Sequence, residues 1–174
     1  MTTMRSVQSF GGPLILLPYD AVPSWTGSYG PGGDDEVDEE ETEYWRVSEL
    51  VQDYAEPVDV AGVEALVLAN GKAPTTFLPD LGLLVQVLAH GTRTSPVDRA
   101  REVLPRLERK RVTEWQCGGP GLLFDSARYG PEVHDADGLP VNLVADRYRV
   151  ASGYWLPADD GDSSLALTTI ERMP

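Results

Sequence analysis

The sequence predicts an α+β fold, a single domain over residues 1–174 that is built mostly of antiparallel β-sheet with one or two helices. Three observations support this prediction. The chain of 174 residues has about the length of one domain. Hydrophobic residues make up 41% of it, enough for a substantial core. Most apolar residues fall into short runs of strand length, bounded by the glycine, proline and asparagine residues that favour turns.

Eight short segments have the composition of strands. The first is apolar throughout and lies between Gly-Gly-Pro and Pro18, which is typical of a buried strand. The next three fit a meander, with a tight turn at Asn70 and Gly71 after its first strand. The predicted strands are residues 14–17, 63–69, 75–78, 83–89, 122–124, 139–143, 148–156 and 165–170.

Two further segments have helical periodicity. Residues 43–54 place their apolar side chains on one face of a helix. A second helix is predicted to begin with Ser95 as its N-cap and Pro96 at its first position, where the missing amide proton has no cost. Pro105 lies inside the same apolar pattern and predicts a kink or an early end of that helix.

The net charge of −14 limits the partners of the protein. Nucleic acids and anionic membranes repel such a surface, so neither is expected to bind. No apolar run reaches the roughly 18 residues that a membrane-spanning helix needs. The N-terminal region breaks at Gly11, Gly12 and Pro13 and has no signal-peptide core, which predicts a cytoplasmic location.

The negative charge is concentrated in the acidic loop, which we define as residues 30–43. Buried unpaired carboxylates are costly, so this stretch is expected to be a solvated loop or a mobile segment. Its carboxylates are Asp34, Asp35, Glu36, Asp38, Glu39, Glu40, Glu41 and Glu43. Residues 93–111 are rich in arginine, and pairing of the two segments within the fold is one explanation of this asymmetry. Attraction of a cationic partner is the other, since such charge raises association rates.

No catalytic residue is predicted, and the expectation is a protein that is not an enzyme. The two histidines, His90 and His134, lie in different segments, and Cys117 is a lone cysteine of the kind that is usually buried. Ser126 follows Asp125 at the end of a predicted strand, but the sequence lacks the small residues of a nucleophile elbow. A small hydrolase that uses Ser126 with His134 or His90 is the alternative, and a capping role in a turn is the commoner use of such residues.

Metal ions and cofactors are not expected either. The sequence has no cysteine pair, no His-x-x-x-His and no EF-hand loop. The glycines at residues 30–33 lack the Lys-Ser/Thr that completes a phosphate loop, and those at residues 118–121 precede a predicted strand rather than a helix.

Aromatic residues flank the acidic loop on both sides, which favours a protein interface. Large aromatic side chains inside a charged rim are typical anchors of such interfaces. The predicted partner-binding residues are Trp25, Trp45 and the eight carboxylates of the acidic loop. Burial of either tryptophan in the core is the other interpretation. An acidic surface of this kind could imitate a phosphate backbone and occupy the cationic active site of an enzyme such as a nuclease.

Several motifs occur in the order found in the immunity protein 21 family of bacterial polymorphic toxin systems, which this chain resembles over residues 7–172. They are Gly-Gly-Pro-Leu-Ile-Leu-Leu-Pro at residues 11–18, Trp25-x-Gly27, Asp53-Tyr54, Ala-Leu-Val-Leu at 65–68, Pro-Thr-Thr-Phe-Leu-Pro at 74–79, and Leu-Phe-Asp-Ser-Ala at 123–127 with Gly130. Ser6 stands where the family pattern has tryptophan. The resemblance implies an α+β cytoplasmic protein that is encoded beside a toxin, binds it and inactivates it. An adaptor domain without a toxin partner is the remaining alternative.

Overall fold

The structure, a computed structural model, describes residues 4–159 and 161–174, which contain ten strands and two α-helices. The strands are β1 (Leu14–Pro18), β2 (Ala55–Val60), β3 (Val63–Leu68), β4 (Thr75–Leu78), β5 (Leu83–Ala89), β6 (Arg111–Cys117), β7 (Gly121–Asp125), β8 (Leu139–Val141), β9 (Asp146–Trp155) and β10 (Ser164–Arg172). The helices are α1 (Glu43–Leu50) and α2 (Pro96–Val103).

The strands form two five-stranded sheets in which all neighbouring strands are antiparallel. Sheet 1 has the order β2-β3-β1-β7-β8, and sheet 2 has the order β4-β5-β10-β9-β6. In sheet 1 the central strand β1 aligns Leu16 with Leu66 of β3 on one side and with Leu123 of β7 on the other. The predicted α+β class, with one domain of mostly antiparallel sheet, is confirmed.

Sheet 1 is buried on both faces, which explains why β1 is apolar throughout. Leu14 and Leu16 belong to the core between the sheets, together with Trp115 from sheet 2. Ile15 alternates with them and lies in a separate cluster on the other side of sheet 1. Successive side chains of a strand point to opposite faces, so a strand covered on both sides has no position for a polar residue.

Helix α2 covers the outer face of sheet 2. Its buried residues Ala100 and Val103 cluster with Leu83, Leu165 and Leu167 of the sheet. The Ser95 side chain caps the helix by accepting a hydrogen bond from the Asp98 amide at 3.2 Å, as predicted. The helix ends at Val103, and Pro105 lies in a following 3-10 helix (Leu104–Arg106), which confirms the early end.

The predicted meander is wrong because the chain changes sheets between β3 and β4. Strand β3 pairs with β1 and β2 in sheet 1, whereas β4 pairs with β5 in sheet 2. Asn70 and Gly71 turn the chain at this crossing, with φ of Asn70 at +59°. The buried Gln86 side chain of β5 stabilises the crossing, because its Nε2 donates a hydrogen bond to the Ala69 carbonyl at 2.9 Å.

Helix α1 is shorter than the predicted residues 43–54. It ends at Leu50, and the C-cap Val51 has a non-helical φ of −123°. Tyr54 then adopts a positive φ of 62°, which turns the chain into β2. The two strands that were not predicted, β2 and β6, are edge strands of their sheets.

The turn between β2 and β3 carries backbone strain that a substitution should relieve. Ala61 and Gly62 join the strands with φ of +52° and +84°, and Ala61 is exposed. An alanine in the left-handed region is disfavoured, whereas asparagine is common at the first position of such a two-residue turn. We expect Ala61→Asn to raise the free energy of unfolding by about 0.5–1 kcal/mol in urea titrations. The matched change Ala136→Asn, at an exposed alanine with helical backbone, should give no gain.

Candidate functional site

The acidic loop begins at a fixed point on the protein surface. The rings of Tyr29 and Tyr129 lie against each other with centroids 5.7 Å apart. The Gly30 amide donates to the Asp34 carbonyl at 2.9 Å, which closes the first turn of the loop. Gly33, with φ of +78°, lies so close to the Tyr129 ring that a Cβ would come within 2.8 Å of it. Gly33 therefore lets the chain pass tightly over Tyr129.

The second half of the acidic loop is ordered as a turn that leads into α1. The Asp38 side chain caps a 3-10 helix (Glu39–Glu41) by accepting a hydrogen bond from the Glu40 amide. Thr42 is buried and caps α1, accepting from the Trp45 amide at 3.1 Å while its hydroxyl donates to the Glu39 carbonyl at 2.7 Å. The glutamates thus precede a helix N-terminus, where the helix dipole favours negative charge.

The carboxylates of this loop are largely unpaired within the protein. Asp34, Asp35, Glu36, Asp38, Glu39, Glu40 and Glu41 are all exposed, and none of them forms an ion pair in the part of the chain that the structure describes. Glu43 pairs with Arg46 at 2.7 Å, one helical turn further along.

The arginine-rich segment does not neutralise the acidic loop. Arg99 pairs with Asp162 at 2.7 Å and Arg101 with Asp80 at 2.7 Å. Arg93 and Arg111 likewise pair with carboxylates outside residues 30–43. The Arg101 guanidinium donates hydrogen bonds to Asp80 and thereby lowers the pKa of that carboxyl below its usual value. The acidic loop therefore keeps its charge for the solvent or for a partner.

The two tryptophans at the edges of the loop have different positions. Trp45 is half-buried on α1, and its contribution to a partner surface stays a prediction. Trp25 is fully buried beside Phe124, and its Nε1 donates to the Ser126 carbonyl at 2.9 Å. The prediction that Trp25 contacts a partner is therefore wrong in this structure, because the side chain has no accessible surface.

Ser126 and Asp125 have structural roles. Ser126 is fully buried, and its hydroxyl donates to the Pro13 carbonyl at 2.7 Å. The buried Asp125 carboxylate accepts from the amides of Phe10 and Ala127 at 3.1 and 3.0 Å. The hydroxyl is not exposed to a substrate in this structure, and within the described residues it forms no hydrogen bond with His90 or His134. These contacts agree with the turn-capping interpretation rather than with the hydrolase.

Cys117 is buried, and its thiol forms hydrogen bonds with the carbonyl and the amide of Gly119, each at 3.4 Å. Burial raises the pKa of this thiol above its usual value, and the hydrogen bond from the Gly119 amide offsets only part of that rise. Because the thiolate is the reactive form, we expect iodoacetamide at pH 7.5 to alkylate Cys117 at least about 10-fold more slowly in the folded protein than in urea. Equal rates, followed by mass spectrometry, would contradict this placement.

A cleft next to α1 was not predicted from the sequence. It has a volume of about 770 Å³ and lies where α1, the loop before β1, the β3–β4 crossing and the end of β5 come together. Its lining includes Gly12, Tyr44, Ser48, Leu88 and His90. The loop before β1 also carries Phe10, which is 91% exposed. The only sequence signal for this feature was an aromatic residue outside any strand and directly before two glycines.

Within residues 4–159 and 161–174, no group of three or more His, Cys, Asp or Glu side chains has the arrangement of a metal site. No helix in those same residues has the length and apolar character that crossing a bilayer requires.

Comparison with known proteins gives one match. Residues 5–161 match the family described as Immunity protein 21, and this match covers nearly all of the chain, leaving residues 1–4 and 162–174 outside. No curated protein and no solved structure matches the chain significantly.

Proposed function

Since the chain belongs to the immunity protein 21 family, we propose that it binds a cognate bacterial toxin in the cytoplasm and neutralises it by covering the toxin's functional surface. The observation that carries this proposal is the acidic loop. Its seven carboxylates from residues 34–41 are exposed and unpaired among the described residues. The caps at Asp38 and Thr42 hold the loop in a defined shape before any partner arrives.

The charge of the loop defines the chemistry of the partner surface. Dense carboxylates raise the local negative potential, which attracts a cationic surface and accelerates its encounter. Enzymes that act on phosphodiesters have such surfaces, since they must neutralise phosphate oxygens. We therefore propose a toxin with a cationic active site, such as a nuclease, as the partner. In this arrangement the acidic loop takes the place of the phosphates of the substrate.

The alternatives have less support. The hydrolase requires an accessible Ser126 hydroxyl, and that hydroxyl is buried against the Pro13 carbonyl. The hypothesis of an adaptor domain without a toxin does not explain why a run of unpaired carboxylates is held in place at both of its ends. We propose that the protein acts by binding alone and without a cofactor.

Co-expression tests the proposed function. The toxin encoded next to the gene for this chain is placed under an inducible promoter, with the chain or an empty vector supplied in the same cells. We expect the chain to restore growth and to co-elute with a catalytically inactive form of the toxin as a stable complex. Continued killing together with the absence of a complex would refute the proposal.

A further inference from the structure

We infer that Phe10 and the adjoining cleft form the apolar anchor of the partner interface, so that Phe10 inserts into a pocket of the bound toxin while a toxin segment enters the cleft. This inference rests on the proposed function and names the part of the surface that gives the complex its lifetime. The partner it fits is a protein with an apolar pocket beside a basic surface. In this inference the acidic loop speeds association with the toxin, whereas the anchor slows dissociation of the complex.

Phe10 combines nearly complete exposure with a fixed backbone. Its side chain is 91% exposed, the highest value among the large exposed hydrophobic residues of the described chain. Its amide donates to the buried Asp125 carboxylate at 3.1 Å. On one side the Ser9 amide donates to the Gly71 carbonyl at 2.7 Å, and on the other the Pro13 carbonyl accepts from Ser126. Because the backbone is already fixed and a phenylalanine side chain has only two χ angles, ordering Phe10 on binding costs little conformational entropy.

Close packing keeps the loop that carries Phe10 in place. A Cβ on Gly71 would come within 2.1 Å of the Gly12 carbonyl oxygen. A Cβ on Gly12 would come within 2.3 Å of the Tyr44 ring, which belongs to α1. The loop is therefore wedged between the β3–β4 crossing and the helix that follows the acidic loop. This contact places Gly12, two residues after Phe10, against the first turn of the helix that follows the acidic loop.

The cleft contains groups that a partner could satisfy. The Ser48 hydroxyl is a cleft-lining group with almost no solvent contact, and it has no hydrogen-bond partner within the described structure. An orphaned hydroxyl costs free energy that a hydrogen bond from an entering chain would recover. Leu88 is a partly exposed apolar residue on the same wall. The cleft thus combines apolar wall residues with several polar groups, as interface pockets do.

Charge favours the toxin over a second copy of this chain as the occupant. The net charge of −14 makes two copies repel each other, and Tyr44, which directly follows the acidic loop, lines the cleft. A basic toxin gains from the same charge. Exposed aromatic residues surrounded by charge are typical sites where a few side chains supply most of the binding free energy.

Binding kinetics of single variants test the inference, with the inactive toxin as the probe. We expect Phe10→Ala to raise Kd at least about 30-fold through faster dissociation, with an association rate within about twofold of the wild type. The matched control is Leu156→Ala, a residue that is 68% exposed, lies after β9 and is not among those that line the cleft. Its Kd should stay within about twofold of the wild type. Both variants should unfold at the urea midpoint of the wild-type protein, since neither side chain is buried.

A second variant blocks the cleft without disturbing the fold. A Cβ on Gly11 would have no heavy atom within 4 Å, and Gly11 has no positive φ, so the backbone accepts a side chain at this cleft-lining position, as in Gly11→Tyr. We expect this variant to weaken toxin binding at least about 10-fold. If wild type binds the toxin and both variants bind within twofold of it, the anchor lies elsewhere and the proposed function stands. If the wild type itself forms no complex with the toxin, both the proposed function and the anchor are refuted.

Discussion

Replacing Trp25 by alanine is expected to destabilise the protein by about 3–5 kcal/mol, the typical cost of removing a fully buried aromatic side chain. The side chain fills the cluster on the outer face of sheet 1 together with Val47 and Phe124. Its removal also leaves the Ser126 carbonyl without the indole donor. Urea unfolding followed by far-ultraviolet circular dichroism measures the loss. Fluorescence is less suitable because three other tryptophans remain.

Trp25→Phe serves as the matched control for this prediction. It keeps an aromatic ring in the cluster but removes the indole N–H, so its cost should be about 1–3 kcal/mol. Because Trp25 has no accessible surface, the folded Trp25→Phe protein should bind the toxin with unchanged rates. A loss below about 1 kcal/mol for Trp25→Ala would show that this residue is not part of the core.

The second large effect is expected on the association rate. Neutralising six carboxylates of the acidic loop should slow association with the toxin by about 10- to 100-fold at low ionic strength. The substitutions, to asparagine or glutamine, are at Asp34, Asp35, Glu36, Glu39, Glu40 and Glu41. Asp38 and Glu43 are kept, because the first caps the 3-10 helix and the second pairs with Arg46. Dissociation should change far less, since charge acts mainly on the encounter.

Salt dependence and a charge-matched control show whether the association rate depends on the position of the carboxylates in the acidic loop or on the net charge of the protein. The wild-type rate should fall steeply between 0.1 and 1 M salt, where the screening length shrinks from about 10 Å to about 3 Å, and the rate of the variant should hardly change. The control neutralises six exposed carboxylates outside the loop, namely Asp20, Glu49, Asp53, Glu132, Asp135 and Glu171. If the control slows association as much as the loop variant, net charge rather than the loop attracts the toxin.

The sequence predicted those elements in which pattern and burial agree. Strands β4 and β5 begin and end at the predicted residues, because proline and glycine bound apolar runs that the sheet buries. The start of α2 was also predicted correctly, since Ser95 and Pro96 form a local signal that does not depend on tertiary contacts. The sequence left two explanations of the charge asymmetry open, namely pairing of the acidic loop with residues 93–111 and attraction of a cationic partner. The unpaired carboxylates of the loop agree with the second explanation.

The missed elements depend on contacts between distant parts of the chain. Strand β2 contains Pro57, which normally argues against a strand and is tolerated here because β2 lies at the edge of sheet 1. Strand β6 is mostly polar and buries only Trp115 and Cys117, as an edge strand can. The change of sheet after Asn70 could not be predicted, because a turn motif does not specify which strand the chain will pair with next.

The candidate site was predicted in part. The charge of the acidic loop follows directly from its composition, and the structure adds the caps that order it. The burial of Trp25 could not be distinguished from exposure by the sequence, because a tryptophan next to glycines fits both a core and an interface. Phe10 was missed because its importance comes from the buried Asp125, which lies more than a hundred residues away and fixes the backbone of the loop.

The way in which the acidic loop is held also determines which changes in its sequence the fold tolerates. None of the side chains at residues 31–41 is buried, and among the described residues the loop is held at two points, by Gly30 and by Gly33 against Tyr129 at its start and by the Asp38 and Thr42 caps at its end. Substitutions and insertions between these two holding points leave the core packing as it is. Under the proposed function, the surface that meets the toxin can therefore change in sequence without any change in the two sheets that carry it.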